Sequence, residues 1–292
     1  MNGRSGPVQV PAEVVATSRA GAYHRLTVAA PAVAVRALPG QFIALAVGGP
    51  ASALLLRRAF AIHRADPGGP QGGTVEVVYA VRGRGTRWLA QRVAGDSLDV
   101  VGPLGRGFTP PPAPLPCTLV GGGYGSAPLF PLAAALRADG CRVDLVLGAA
   151  SADRLFGGAD AEGAADAVRV TTEDGSVGER GRVTDVLPDV LRRSAAGAVY
   201  ACGPMGMLAA VSALSAAYGV PSQCAVEESM ACGIGVCMTC VLPVRGDDGM
   251  TRMVRSCVEG PVFPGERVRW DDVGTVPADT VGAGPALRVV AG

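Results

Sequence analysis

The run Thr109-Pro-Pro-Pro-Ala-Pro-Leu-Pro116 limits the folds open to this chain more than any other feature. Proline fixes φ and removes an amide donor, so neither a helix nor an interior strand passes through five prolines in eight residues. The rhythm differs on its two sides. Before it, Val10–Ala16, Arg25–Ala30, Gln41–Val47, Phe60–His63, Val75–Val81 and Ser97–Val101 are short apolar or alternating runs cut by Gly and Pro. These predict an antiparallel β-barrel or sandwich, with one helix-like piece at Thr86–Arg92. After it, strand-like runs at Cys117–Gly121, Arg142–Leu147, Ala167–Thr171 and Ala198–Cys202 alternate with helical patterns at Ser126–Arg137, Val183–Arg192 and Pro204–Tyr218. That alternation predicts a doubly wound parallel sheet. A third, cysteine-rich pattern begins near Gln223. The expected units are a β-barrel over residues 8–112, a dinucleotide domain over 113–222, a small metal domain over 223–274, and a tail over 275–292.

The chain's 292 residues, 49% of them hydrophobic, suffice for several cores. All 26 basic residues are arginine, which excludes lysine Schiff-base chemistry and a Walker-type phosphate loop. The net charge of +1, without a basic patch, argues against nucleic acid as a partner. No apolar run reaches the ~20 residues of a membrane span, and the first residues lack the apolar core of a secretory signal, so a cytoplasmic setting is expected. There thiols stay reduced, and clustered cysteines bind metal more often than they pair.

Four cysteines cluster: Cys232, Cys237, Cys240 and Cys257. The C-x4-C-x2-C…C order suits a 2Fe–2S cluster. A structural zinc site is the alternative, but such sites usually pair cysteines as two C-x2-C knuckles, and only Cys237 and Cys240 are so spaced. Gly233 and Gly235 would let the backbone wrap closely round a cluster. Cys117, Cys141, Cys202 and Cys224 stand singly in apolar runs and read as core.

Two glycine turns follow strands and open helices. Gly121, Gly122, Gly123 and Gly125 let the backbone approach a pyrophosphate, although Ser126 takes the last glycine place of G-x-G-x-x-G. Cys202-Gly203-Pro204 ends another strand of the same unit, and ligands in such sheets bind beyond the strands' carboxyl ends. The two turns are expected to border one dinucleotide crevice. Asp153, after the second strand of this unit, leans towards NADH over NADPH. In the β-rich half, Leu56-Arg-Arg-Ala-Phe-Ala-Ile62 and Val78-Tyr-Ala-Val-Arg-Gly-Arg-Gly-Thr86 could supply an arginine for phosphate and a ring for a flavin face. His24 and His63 read as strand positions, and no catalytic acid or base is assigned.

These pieces together resemble the ferredoxin-reductase-like flavoproteins, and in order of parts the electron-transfer subunits of NAD-linked, two-subunit dihydroorotate dehydrogenases. The likeness rests on Met230-Ala-Cys-Gly-Ile-Gly-Val-Cys237, the Gly-Gly-Gly-x-Gly-x-Ala-Pro turn, Thr172-Glu-Asp-Gly-Ser176 with Val183-Thr-Asp185, and Tyr200-Ala-Cys-Gly-Pro204. It spans about Pro11 to Val268. The resemblance implies FAD held by Arg58, Ala59, Phe60 and Ala61, where the family has Arg-Pro-x-Ser. It also implies Val78, Tyr79 and Ala80 flanking the flavin and Gly85 and Thr86 near its phosphates. Ala59 stands where proline is usual and Ala61 where serine is usual, so a hydroxyl that would meet the flavin ring is missing. The implied function is a relay among NAD(H), FAD and the cluster, serving an FMN-containing dihydroorotate dehydrogenase catalytic subunit in a heterotetramer of pyrimidine biosynthesis. A subunit serving a hydrogenase, glutamate synthase or ferredoxin remains open, as does a cluster-bearing sensor.

Overall fold

The structure, a computed structural model, describes residues 6–49 and 52–283. Six strands, β1 (Val8–Ala20), β2 (Tyr23–Ala29), β3 (Phe42–Leu45), β4 (Arg58–Asp66), β5 (Thr74–Tyr79) and β6 (Ser97–Leu104), close into an antiparallel barrel of order β1-β2-β5-β4-β3-β6. Alternation drives the closure. Leu26, Val28, Ile43, Leu45, Val75, Val77 and Val100 point inward and are essentially unexposed. A short helix, α1 (Pro31–Ala34), packs against the barrel. The expected helix at 86–92 begins two residues earlier, as α2 (Arg84–Leu89). Thr86 fixes that start, because its hydroxyl accepts from the amides of Arg82 and Gly83.

The second sheet has strands β7 (Cys117–Gly122), β8 (Val143–Ala149), β9 (Ala167–Thr172), β10 (Glu179–Arg180), β11 (Ala198–Cys202) and β12 (Ser222–Ala225), ordered β10-β9-β8-β7-β11-β12 and all parallel. β7 and β8 are buried on both faces. Val120 and Val146 meet α5 (Val183–Ser194) and α6 (Met205–Ala217), while Leu119, Leu145 and Leu147 meet α3 (Leu129–Ala138) and α4 (Gly158–Ala164). The sheet is doubly wound, and its strand order reverses between β7 and β11. The predicted helix at 126–137 starts instead at Leu129, behind a 3-10 turn over Gly123–Ser126, since Pro128 occupies the helix's N-cap position. α4 has no counterpart in the sequence reading, because Gly-Ala-Asp-Ala-Glu-Gly-Ala carries almost no apolar periodicity.

The cysteine-rich segment is not a separate bead. The expected boundary after residue 222 falls inside β12, and β15 (Val262–Pro264) adds antiparallel to that strand. Between them, β13 (Val241–Arg245) and β14 (Thr251–Arg255) form a hairpin. The tail, which reads as unpatterned from Thr275, is tied down as far as residue 283. Val281 donates its amide to Thr251, Thr280 is buried, and Arg269 bonds Asp279 at 2.6 Å. Residues 284–292 of that expected tail lie outside the described residues.

Candidate functional site

The switch in strand order puts both glycine turns side by side. A Cβ on Gly125 would stand 2.7 Å from Gly203 Cα and 3.1 Å from the Cys202 carbonyl. The turns therefore touch backbone to backbone, which only glycine allows there. Gly122, Gly123, Gly125 and Pro204 line a cavity of about 460 Å³ beyond the carboxyl ends of the strands. Gly121 does not line it. A Cβ there would strike Ser126 at 2.5 Å, so this glycine serves the close packing of turn on strand. Asp153 does not line it either, and its carbonyl instead accepts from Ala22 of the barrel.

Deeper in this cavity Thr171 is fully buried, and its hydroxyl has no hydrogen-bond partner. An orphaned buried hydroxyl costs on the order of 1–3 kcal/mol, which a ligand hydroxyl or phosphate would relieve. That orphan and the glycine-lined backbone fit a dinucleotide. The sequence reading missed Thr171 because it ends a strand like any other β-branched residue.

A second, more apolar cavity of about 220 Å³ opens in the barrel wall. Ala59, Phe60, Ala61, Val78, Tyr79, Ala80 and Thr86 line it from the barrel, and Cys202 and Gly203 from the sheet. Phe60 and Tyr79 pack at 5.3 Å, and burial pushes the Tyr79 phenol up to about 12. Largely apolar, with Phe60, Tyr79 and Tyr124 in its lining, this wall fits a flavin ring. Arg58 and Gly85 are not part of the lining, but they lie together at its edge: a Cβ on Gly85 would stand 2.9 Å from Arg58 Nε. Burial, and then Glu227, push the Cys202 thiol up to about 12, so it stays a neutral wall.

The four clustered cysteines lie on the loop between β12 and β13 and just after β14. Gly233 (φ +73°), Met238 (φ +58°) and Gly235 (φ +84°) turn that loop left-handed. The amides of Ile234 and Val236 both point at Cys232 Sγ at 3.4 Å, and the Thr239 hydroxyl donates to Cys237 Sγ at 3.2 Å. The Thr239 hydroxyl, then its amide, hold Cys237 down to about 6, whereas burial, then Cys240, push Cys257 up to about 12. No three His, Cys, Asp or Glu side chains among the described residues converge on one point as single-ion ligands. The C-x4-C-x2-C…C order, with two backbone amides aimed at Cys232 Sγ, fits two irons held by four thiolates better than one zinc. Cys240 and Cys257 are buried against Phe42, Ala44 and Leu104 of the barrel, with Ala59 and Met230 packed alongside. Met230 also lines the apolar cavity.

Comparison with known proteins gives a consistent picture. Residues 227–269 match the family model for the iron–sulfur cluster binding domain of dihydroorotate dehydrogenase B. The electron transfer subunit of dihydroorotate dehydrogenase B (NAD(+)) from Desulforamulus reducens is 35% identical over 247 residues, covering 83% of this chain and 90% of that protein. The corresponding subunit from Geobacillus thermodenitrificans is 39% identical over 243 residues, 82% of this chain and 90% of that protein. Among solved structures, an NADH-dependent reduced ferredoxin-NADP oxidoreductase superposes with a TM-score of 0.78 at 31% identity, covering 90% of this chain and 91% of that one. A Neisseria gonorrhoeae ferredoxin NADP+ reductase, at 15% identity and a TM-score of 0.59, shares the fold over 72% of this chain and 92% of its own.

Proposed function

Since this chain belongs to the family of dihydroorotate dehydrogenase B electron-transfer subunits, we propose that it holds FAD, a 2Fe–2S cluster and NAD(H). It connects them to an FMN-containing catalytic subunit that oxidises dihydroorotate in pyrimidine biosynthesis. When bound, the flavin supplies exchange of electron pairs with the nicotinamide, and the cluster supplies single electrons. The chain's own residues do the holding. In the barrel, Phe60 and Tyr79 wall the flavin ring, while Arg58, Gly85 and Thr86 lie towards its phosphates. In the sheet, Gly122–Gly125 and Pro204 seat the dinucleotide, with Thr171 hydrogen-bonding it, while Cys202 and Gly203 face the flavin side. Cys232, Cys237, Cys240 and Cys257 hold the cluster.

The observation that carries this reading is contact. The apolar cavity shares its wall with the dinucleotide cavity on one side and, through Met230 and Phe42, with the cysteine loop on the other. All eight cysteines are free thiols, and no helix among the described residues is long and apolar enough to cross a membrane. The free thiols support a cytoplasmic place.

The test is co-expression with a candidate catalytic subunit, followed by assay of NAD+ reduction by dihydroorotate. Cys237→Ser should abolish that reaction while NADH still bleaches the yellow flavin band. A purified protein without flavin absorbance, or an unaffected Cys237→Ser variant, would overturn the reading.

A further inference from the structure

β7 and β12 flank β11 in the sheet, and each runs on past its carboxyl end towards the other. Two residues beyond β7 stands Tyr124, and two beyond β12 stands Glu227. The tyrosine hydroxyl donates to Glu227 Oε1 at 2.8 Å. This bond links the chain just after β7 to the chain just after β12, across the end of β11. Four residues, Arg82, Tyr124, Gly125 and Glu227, line both the apolar cavity and the dinucleotide cavity and so form the throat between them. The Tyr124 ring is fixed from two sides, by Tyr23 at 5.3 Å edge-on and by the Arg82 guanidinium 5.8 Å above it.

We propose that Tyr124 is a positioning residue that holds the Glu227 carboxylate at this throat, where it favours the positively charged, oxidised nicotinamide over the neutral reduced ring. The proposal rests on the dinucleotide reading above, since a nicotinamide that reaches the flavin must come to the throat. A phenol suits this task. It fixes the carboxylate without neutralising it, as an arginine partner would. Burial, and then the neighbouring carboxylate, push its own pKa up to about 12, so it remains a donor at neutral pH. The other charges facing the throat are Arg82, across the tyrosine ring, and Glu228, which lines the apolar cavity.

The experiment measures equilibrium binding of NAD+ and of the non-reducing 1,4,5,6-tetrahydro analogue of NADH to the FAD-loaded protein. Glu227→Gln should weaken NAD+ about ten-fold and leave the neutral analogue within about two-fold, because a single charge interaction is removed. Tyr124→Phe, which keeps the ring and its contacts with Tyr23 and Arg82, should weaken NAD+ by about three-fold in the same selective way. It is read whether or not Glu227→Gln proves stable. Parallel weakening of both ligands, or no change in either, would overturn the proposal. Failure of both ligands to bind the unaltered protein would instead overturn the dinucleotide reading and this inference with it.

Discussion

His63 lies 3% exposed between Phe130 and Phe156, with its Nδ1 2.8 Å from the Ala127 carbonyl. It joins β4 of the barrel to the start of α3. Burial holds its pKa below the usual imidazole value, although Glu76, 3.6 Å from Nε2, pulls the other way, and Arg25 and Arg64 add to the depression. A depressed imidazole stabilises the fold fully above its unfolded pKa of about 6.5, and the contribution disappears as pH falls through the lower folded value. Thermal unfolding should therefore show a Tm that drops as pH falls below about 6.5, and His63→Asn should flatten that dependence. Ala61 offers a second residue-scale test. It pairs with Phe42 across β3 and β4 and lines the apolar cavity with a methyl group. Ala61→Ser should tighten FAD by about 0.5–1.5 kcal/mol and shift the flavin absorbance maximum. Such single residues are the least legible part of the sequence. Tyr124 occupies the free position of a glycine turn, and Glu227 precedes the cysteine run without a motif of its own. Only the strand order brings them together.

At the scale of elements, the two glycine turns behave as one. Gly125→Ala puts a Cβ 2.7 Å from Gly203 Cα, so the turns must splay apart. The expected result is loss of NAD+ binding in a titration, with Tm lowered as well. Gly206→Ala is the control for stability alone: it sits in the first turn of α6, its open side facing the dinucleotide cavity, and helix propensity favours alanine by up to about 1 kcal/mol. Its Tm should hold or rise. Elements with strong patterning were readable from sequence to within a few residues. β11 occupies the predicted 198–202, and β8 and β9 differ by one or two positions at their ends. Elements set by tertiary context were not. The two residues of β10 are a strand only because β9 lies beside them, and β15 acquires its role from β12.

For the whole molecule, composition and rhythm announce three patterns, but they do not announce that the third is sewn into the second. Phe263 packs at 5% exposure in the same core as Cys224, Val226 and the helix α6. A chain cut after residue 222 should accordingly do more than lose its iron. Its Tm should fall by several degrees and the dinucleotide sheet should exchange its amide protons faster, since an inner strand becomes a ragged edge. The barrel is bound in just as firmly, through Ala22 to Asp153, Tyr23 to Arg154 and Arg25 to Asp160. The join of β12 to β15 has one more consequence, for the four clustered cysteines. The segment that carries the cluster ligands leaves the sheet after residue 225 and returns at 262, on adjacent strands, with the Val226 amide bonded to the Pro261 carbonyl at the neck. The pairing of β12 with β15 itself holds the ends of that long excursion together, so the sheet, and not the cluster alone, meets the entropy of closing it. The four thiols are thus gathered on an excursion whose two ends are drawn together by the sheet.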